Sequence, residues 1–133
     1  MIKYLLLIFI IILSSCHKSD KILKETIVTA DSVVINYYKG NGSMDTVVKV
    51  RIVRERQTIN QLGSLISAST TKVNYKCGYD GSLHFFKKNV VILDIDFRMY
   101  EETCMLFTFK QSGETEATDL SQDAKKLLID IGK

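Results

Sequence analysis

The sequence predicts an α+β fold in which an antiparallel β-sheet meander carries two short helices. Three observations lead to this fold class. Apolar and polar residues alternate along several short segments, and such alternation is typical of antiparallel strands with one buried face. Turn-forming residues separate those segments. Two further segments carry apolar residues at helical spacing, so each predicts a helix that lays one face on the sheet.

The predicted fold begins with a β-hairpin. A first strand is predicted over residues 25–38, which are rich in β-branched and aromatic side chains. Asn41 and Gly42 then form a strong hairpin signal. The second strand is predicted over residues 46–54, where three aliphatic residues share one face: Val48, Val50 and Ile52. These two segments should pair antiparallel.

The two helices are predicted from the spacing of their apolar residues and from their N-caps. Thr58 can cap the first, and Ser121 can cap the second. The apolar face of the first consists of Ile59, Leu62, Leu65 and Ile66. That of the second consists of Ala124, Leu127, Leu128 and Ile131.

The meander is predicted between these helices. Its strands cover residues 72–77, 82–86, 91–98 and 104–110, with a short edge strand over 114–118. In the first of these segments, Val73, Tyr75 and Cys77 alternate with lysine and asparagine residues. In the third, Val91, Leu93, Ile95 and Phe97 should all point to one face.

The first sixteen residues have the layout of a secretory signal peptide. Lys3 supplies a positive charge, and residues 4–13 form an unbroken apolar run. The run ends in Leu-Ser-Ser-Cys at residues 13–16, which resembles the lipobox of bacterial lipoproteins. This resemblance implies that a diacylglycerol is attached to Cys16, that the chain is cleaved before it, and that the new amino group is acylated, for example by palmitate.

A transmembrane helix is excluded because ten apolar residues rise only about 15 Å, half of a hydrocarbon core. An ordinary signal peptide, which would leave Cys16 as a thiol, is the alternative. In the lipoprotein interpretation, residues 1–15 are the signal peptide and residues 16–24 are the lipidated N-terminus and a polar tether. Residues 25–133 form a single α+β domain. We expect the outer membrane rather than the inner membrane, since the residue after Cys16 is not aspartate, as in enterobacterial lipoproteins of the outer membrane.

The charge of the chain gives no reason to expect a nucleic-acid partner. Its formal net charge is +3, from 18 basic and 15 acidic residues. Arg51, Arg54 and Arg56 form the densest basic group. A solvated strand edge explains these arginines more readily than a phosphate-binding patch does.

Cys77 and Cys104 are the two cysteines outside the leader. Export places them in an oxidising space, where thiols tend to pair. They therefore predict one disulfide across a sequence separation of 27 residues. Two buried, reduced thiols are the alternative.

No motif in the chain predicts a nucleophile, a cofactor site or a metal site. His84 alternates with apolar neighbours, so it should face solvent as an ordinary surface residue. A zinc site built from His84, Cys77 and Cys104 lacks the usual ligand spacing. Ser64 and Ser82 each follow a glycine, but neither belongs to a nucleophile motif, and we expect no histidine within reach of either.

Asp94 and Asp96 should share one face of their strand, near Asp80 or Glu101. Paired carboxylates can perform acid–base chemistry or bind calcium. Alternating charges on an exposed strand are, however, the ordinary pattern of a solvated face. A carboxylate-dependent hydrolase is therefore a weaker interpretation than a protein without catalytic activity.

Three aromatic residues lie at or beside predicted turns: Tyr79, Phe86 and Tyr100. They can contact a partner or close the ends of the core. Residues 75–82 are similar to the first-strand region of the lipoprotein lysozyme inhibitors, although Ser112 and Gly113 are not followed by the tyrosine of that family's loop. We expect a membrane-anchored module that binds or inhibits an envelope protein; a structural or assembly accessory of the envelope is the alternative.

Overall fold

A seven-stranded antiparallel sheet forms the centre of the structure, a computed structural model that describes residues 18–40, 43–73 and 76–133. The strands are β1 (Ser32–Gly40), β2 (Ser43–Val53), β3 (Thr70–Thr71), β4 (Gly81–Lys87), β5 (Val90–Arg98), β6 (Leu106–Gln111) and β7 (Glu114–Asp119). The helices are α1 (Lys18–Val28), α2 (Arg56–Ile66) and α3 (Gln122–Gly132), with a short 3-10 turn at Glu102–Cys104. The predicted α+β fold class is confirmed.

The strands lie in the order β2-β1-β4-β5-β6-β7-β3. Strands β4 to β7 correspond to the last four strands of the predicted meander, and β1 and β2 form the predicted antiparallel pair. The pairing of β1 with β4 joins these two units into one sheet. The sheet therefore ends at β2 on one side and at the two-residue strand β3 on the other.

The three helices pack on one face of this sheet. Alternate strand residues point into the core they share, including Ile35, Leu83, Phe85, Ile95, Phe97 and Phe107. The helices contribute Leu23 and Ile27 from α1, Ile59, Leu62 and Ile66 from α2, and Ala124 and Leu128 from α3. Residues between the core positions of each strand must point to the opposite face.

Helix α1 was not predicted, and it replaces the polar tether expected over residues 16–24 from residue 18 onwards. The helix begins at Lys18, and Leu23 and Ile27 are almost fully buried. These two residues are four apart, so they share one helical face and pack into the core. Because the helix continues to Val28, the first strand begins only at Ser32 rather than at residue 25. Among the described residues, no helix is long and apolar enough to cross a membrane.

The two predicted helices form where they were expected, although one cap differs. Ser121 caps α3 as predicted, since its hydroxyl accepts the backbone N–H of Ala124 at 3.1 Å. Thr58 does not cap α2, because that helix begins at Arg56 and its N-cap is Glu55. The Thr58 hydroxyl instead donates to the Glu55 carboxylate at 3.2 Å.

The first predicted strand of the meander, over residues 72–77, is not a strand at its described residues. Only Thr70 and Thr71 pair with β7, and the described residues 72–73 and 76–80 lie outside any strand. The reason is topological: this segment must travel from the edge of the sheet to its centre. Both edges of β4 are occupied, by β1 and by β5. We name residues 76–80 the crossing segment.

The disulfide between Cys77 and Cys104 is present, which confirms the predicted bridge. The two Cα atoms are 6.0 Å apart, and both residues are largely buried. The bridge attaches the crossing segment to the connection between β5 and β6. It therefore restrains the start of the crossing segment, whose other end is held by backbone hydrogen bonds of Asp80 to Tyr38 and Phe97.

Two of the three clustered arginines are bound to helix ends. The guanidinium of Arg56 donates to the carbonyl oxygens of Val28 and Ala30, at 2.7 and 2.8 Å. That of Arg51 donates to the carbonyl oxygen of Gly132 at 3.4 Å. Cations are favourable at the negative C-terminal end of a helix. Arg51 lies on the edge strand β2, as predicted for this group, whereas Arg56 belongs to helix α2 rather than to a strand.

Candidate functional site

The sheet face opposite the helices carries the polar residues of the central strands. On β4 and β5 these are Ser82, His84, Asp94 and Asp96, which alternate with core residues. Ser82 lies directly opposite Asp96, and His84 lies opposite Asp94. We name this surface the open face. The prediction that His84, Asp94 and Asp96 lie on the face away from the core is confirmed.

A hydrogen-bond chain links three of these residues across β4 and β5. The Ser82 Oγ lies 3.0 Å from His84 Nε2, and His84 Nδ1 lies 2.5 Å from Asp94 Oδ1. Asn36 Nδ2 also donates to Ser82 Oγ at 3.2 Å. When Nδ1 carries the proton and donates it to Asp94, Nε2 accepts the serine hydroxyl. His84 is therefore a linked residue rather than the isolated surface histidine expected.

The expectation that no histidine lies within reach of Ser82 is wrong. Residues two apart on a strand point to the same face, with side chains about 6 to 7 Å apart at their bases. The imidazole ring is long enough to cover that distance. Positions 82 and 84 carry this signal in the sequence, but Asp94 joins only because the β4–β5 register places it opposite His84.

The chain has the connectivity of a serine–histidine–aspartate triad, but the serine is poorly accessible. Ser82 is only 3% exposed. Gly81 before it is also enclosed, since a Cβ atom there would overlap the Asn36 carbonyl oxygen and the Phe97 ring. A substrate carbonyl must reach the hydroxyl of a nucleophilic serine. The arrangement therefore orients His84 and Asp94 more readily than it presents a nucleophile.

A cleft of about 550 Å³ opens beside this chain, where β5 and β6 separate. Strand β5 pairs with β4 from Val90 to Phe97, but with β6 only from Ile95 to Arg98. The β6 side of the first half of β5 therefore has no strand partner among the described residues. The walls include Tyr79, Val91, Asp94, Asp96, Thr108 and Lys110.

Val91 corrects one detail of the predicted strand. A bulge shifts the register after the Phe85–Leu93 pair, so Val91 pairs with Phe86. Val91 therefore does not point into the core, as it was expected to do together with Leu93. Val91 is consequently 44% exposed and forms part of the cleft. An extra residue in a strand cannot be recognised from alternation alone.

The cleft holds a partly buried carboxylate. Burial raises the pKa of the Asp96 carboxyl; the His84 ring opposes this increase, and the Asp94 carboxylate adds to it. Asp94 is bonded to His84, whereas Asp96 has no hydrogen bond or ion pair with any other described residue. A carboxylate in this position would be stabilised by an incoming cation.

Thr108 is the second polar residue of the cleft without a hydrogen-bond partner among the described residues. It lies directly opposite Asp96 in the β5–β6 pair, and only 5% of the residue is exposed. Its Oγ1 is buried without a hydrogen-bond partner in the described part of the chain. A buried hydroxyl without a partner raises the energy of the folded state. No sequence pattern marked Thr108, because its importance depends on which residues surround it.

The other predicted acidic neighbours form a separate structural group. Asp80 is 4% exposed and pairs with Arg98 at 3.1 Å, while it also accepts the backbone N–H groups of Met99 and Tyr100. Arg98 reaches Glu101 at 3.0 Å as well. Asp80 and Glu101 were expected near Asp94 and Asp96. Neither of them forms a hydrogen bond or an ion pair with Asp94 or Asp96.

The remaining candidate residues take different positions. Tyr79 lines the cleft, Phe86 is half-buried, and Tyr100 is 62% exposed with the Lys125 ammonium 5.6 Å from its ring centre. Cys77 and Cys104 are bonded to each other and are therefore unavailable to a metal. Within the described ranges, no group of three or more His, Cys, Asp or Glu side chains could hold a metal ion. Cys16 and the Asn41–Gly42 turn lie outside the described residues.

Comparisons with known protein families, with curated proteins and with solved structures give no match for this chain. The resemblances to bacterial lipoproteins and to lysozyme inhibitors therefore stay predictions from the sequence. The residues resembling the inhibitors' first strand belong mainly to the crossing segment, which is not a strand.

Proposed function

We propose that this protein is a lipid-anchored binding module of the bacterial envelope, which recognises an envelope protein through the cleft of the open face. The cleft carries the proposal. Its volume of about 550 Å³ lies within the range of ordinary ligand sites. It also combines exposed apolar surface at Val91 with a partly buried carboxylate at Asp96 and with a buried Thr108 hydroxyl that has no partner among the described residues. Inhibition of the partner would follow if the cleft bound that protein's active-site loop.

The binding proposal is tested by a photo-crosslinking residue at Thr115, which lines the cleft. A matched control carries the same residue at Lys126, which is exposed on α3 at the other face of the sheet. We expect a discrete adduct with one envelope protein from position 115 and none from position 126. The adduct should disappear in the Asp96→Asn background. Identical adduct patterns at both positions would contradict the proposal, and an accessory role without a ligand would then be favoured.

The anchor is proposed from the leader. Two or more acyl chains hold a protein stably at a membrane, whereas one chain does so only marginally. Cys16 precedes the first residue of α1 by two positions, so the domain would lie close to the bilayer. The outer membrane is the proposed location.

The Cys16→Ala variant tests the anchor. It should release the protein from the membrane fraction and abolish labelling by a radioactive fatty acid. Ser15→Ala is the matched control, since it keeps both a small residue and the cysteine. Membrane attachment of Cys16→Ala without label would contradict the lipoprotein assignment. Release of both variants would point to an effect on export rather than on lipidation.

A serine hydrolase is the second candidate, favoured by the Ser82–His84–Asp94 hydrogen-bond chain. In such an enzyme the serine oxygen attacks an ester carbonyl, His84 Nε2 takes the hydroxyl proton and passes it to the leaving group, and water then releases the acyl group. A fluorophosphonate probe decides between the candidates. Labelling that is lost in Ser82→Ala and His84→Ala but retained in Ser64→Ala would favour the enzyme; no labelling would favour the binding module.

A further inference from the structure

Two polar groups of the cleft that have no partner among the described residues define the chemistry of its ligand. Asp96 and Thr108 face each other across the β5–β6 pair, and directly opposite residues have Cβ atoms about 4.5 to 5.5 Å apart. One group is an acceptor with negative charge, and the other is a hydroxyl that can accept. A donor that enters between them, and displaces the side chains that enclose Thr108 Oγ1, can reach both.

We propose that the cleft binds a lysine side chain presented by an extended segment of the partner protein. This inference rests on the proposed binding function. An ammonium group has three donors and no acceptor, which matches an acceptor pair formed by the Asp96 carboxylate and Thr108 Oγ1. Asp94, on the same wall, adds negative charge but already accepts from His84.

The charge of the walls favours a cation over an anion. Two carboxylates line the cleft, whereas Lys110 supplies one ammonium group there. Lys110 is exposed, so solvent screens its charge, while Asp96 is partly withdrawn from water. The electrostatic gain from a cationic ligand is therefore larger at Asp96 than the repulsion it meets from Lys110.

The unpaired half of β5 favours an extended peptide as the carrier of the lysine. The first residues of β5 pair with β4 on one side and with no strand on the other among the described residues. Backbone groups on such a side can bond to an added extended segment, while alternate side chains of that segment enter the site. Asp94 and Asp96 are two residues apart on the same wall, and this spacing matches that of alternate side chains on an extended segment.

The experiment uses three capped pentapeptides as probes and the protein purified from the envelope of the cells that express it. The central residue is lysine, norleucine, which has the same carbon chain without the ammonium group, or glutamate, and valine and threonine flank it. Binding is measured by titration calorimetry and by chemical shifts of the cleft residues. We expect the lysine peptide to bind about tenfold more tightly than the norleucine peptide, the size of one charge-assisted hydrogen bond.

Three variants locate the effect. Asp96→Asn should abolish the preference for lysine over norleucine, and Thr108→Val should reduce it about threefold. Asp130→Asn is the matched control on α3, where its carboxylate pairs with Lys133 away from the open face, and it should change nothing. The comparison of lysine with norleucine uses the unmodified protein, so it does not depend on any variant folding.

Each other result overturns the inference in a distinguishable way. Equal binding of the lysine and norleucine peptides would mean that the cleft does not recognise charge. Tighter binding of the glutamate peptide would assign recognition to Lys110 and an acidic partner. If no peptide binds while the Thr115 crosslink persists, the ligand class is wrong and the binding function stands. If both fail, the binding function is wrong as well.

Discussion

Removal of the Cys77–Cys104 disulfide should lower the free energy of unfolding by about 3.5 kcal/mol. The bridge spans a sequence separation of 27 residues. In the chain-entropy estimate, such a loop restricts the unfolded chain by about 12 cal/mol/K, which is about 3.5 kcal/mol at room temperature. The suitable variant is Cys77→Ala/Cys104→Ala, because it removes both thiols. The unbridged unfolded chain is also less compact, so the dependence on denaturant should become steeper.

Urea unfolding followed by circular dichroism measures the loss. At a slope of about 1.5 to 2 kcal/mol per molar urea, the midpoint should fall by about 2 M. Reductant should shift the wild-type midpoint in the same direction and leave the double variant unchanged. A midpoint shift below about 0.5 M would refute the entropic argument. Because Tyr79 follows Cys77 by two residues and lines the cleft, the affinity for the lysine peptide should fall together with the stability.

Three further predictions concern buried or partly buried ionisable groups. Asp80→Asn should lower the free energy of unfolding by about 3 kcal/mol, since it leaves the Arg98 charge without its buried partner; a loss below about 1 kcal/mol in urea unfolding would contradict this. Burial raises the pKa of Tyr37 from 10.0 to about 12. Its contribution to the free energy of unfolding is therefore complete below pH 10.0 and is lost as the pH rises towards 12, by at most about 2.7 kcal/mol. Tyr37→Phe, which loses the 2.6 Å hydrogen bond to the Leu128 carbonyl, should be about 1 kcal/mol less stable at neutral pH and show no such alkaline loss; equal alkaline slopes would assign the loss to other groups. Because the pKa of Asp96 is raised in the folded protein, its contribution to the free energy of unfolding is complete below the ordinary carboxyl pKa. That contribution is lost as the pH rises through the pKa of the folded protein. Asp96→Asn should therefore be more stable than the wild type at neutral pH, and the difference should vanish in acid. The same groups, His84, Asp94, Lys110 and Tyr79, surround position 96 in both proteins. A difference in stability that does not depend on pH would contradict the assignment to Asp96.

Features that depend on neighbours in sequence were predictable. Strands β4 to β7, the helix beginning after Ser121 and the turn at Ser112 and Gly113 all follow from local rules. Both residues of that turn have positive φ, of 52° and 80°, which matches the tight turns that favour hairpins. The disulfide was also predictable, because Cys77 and Cys104 allow only one pairing with each other.

Features that depend on distant residues were not predictable. Residues 72–77 alternate as a strand should, but both edges of β4 are already occupied by other strands. Helix α1 combines only two well-buried aliphatic residues, Leu23 and Ile27, with many charges, so it resembled a polar tether. The His84–Asp94 contact and the Asp96–Thr108 pair both depend on strand register, which a single sequence does not reveal.

A residue kept for binding differs from a residue kept for folding in the sign of its effect on stability. Thr108→Val removes a buried hydroxyl that has no partner among the described residues and replaces it with a methyl group of similar size. We expect the free energy of unfolding to rise by about 1 kcal/mol, in contrast to the loss expected at Asp80. Binding of the lysine peptide should weaken in the same variant. A variant that is more stable but binds more weakly is expected where a residue serves binding although it lowers the stability of the fold. If Thr108→Val is instead destabilised in urea unfolding, the hydroxyl is already satisfied in the free protein, and it is not available to a ligand.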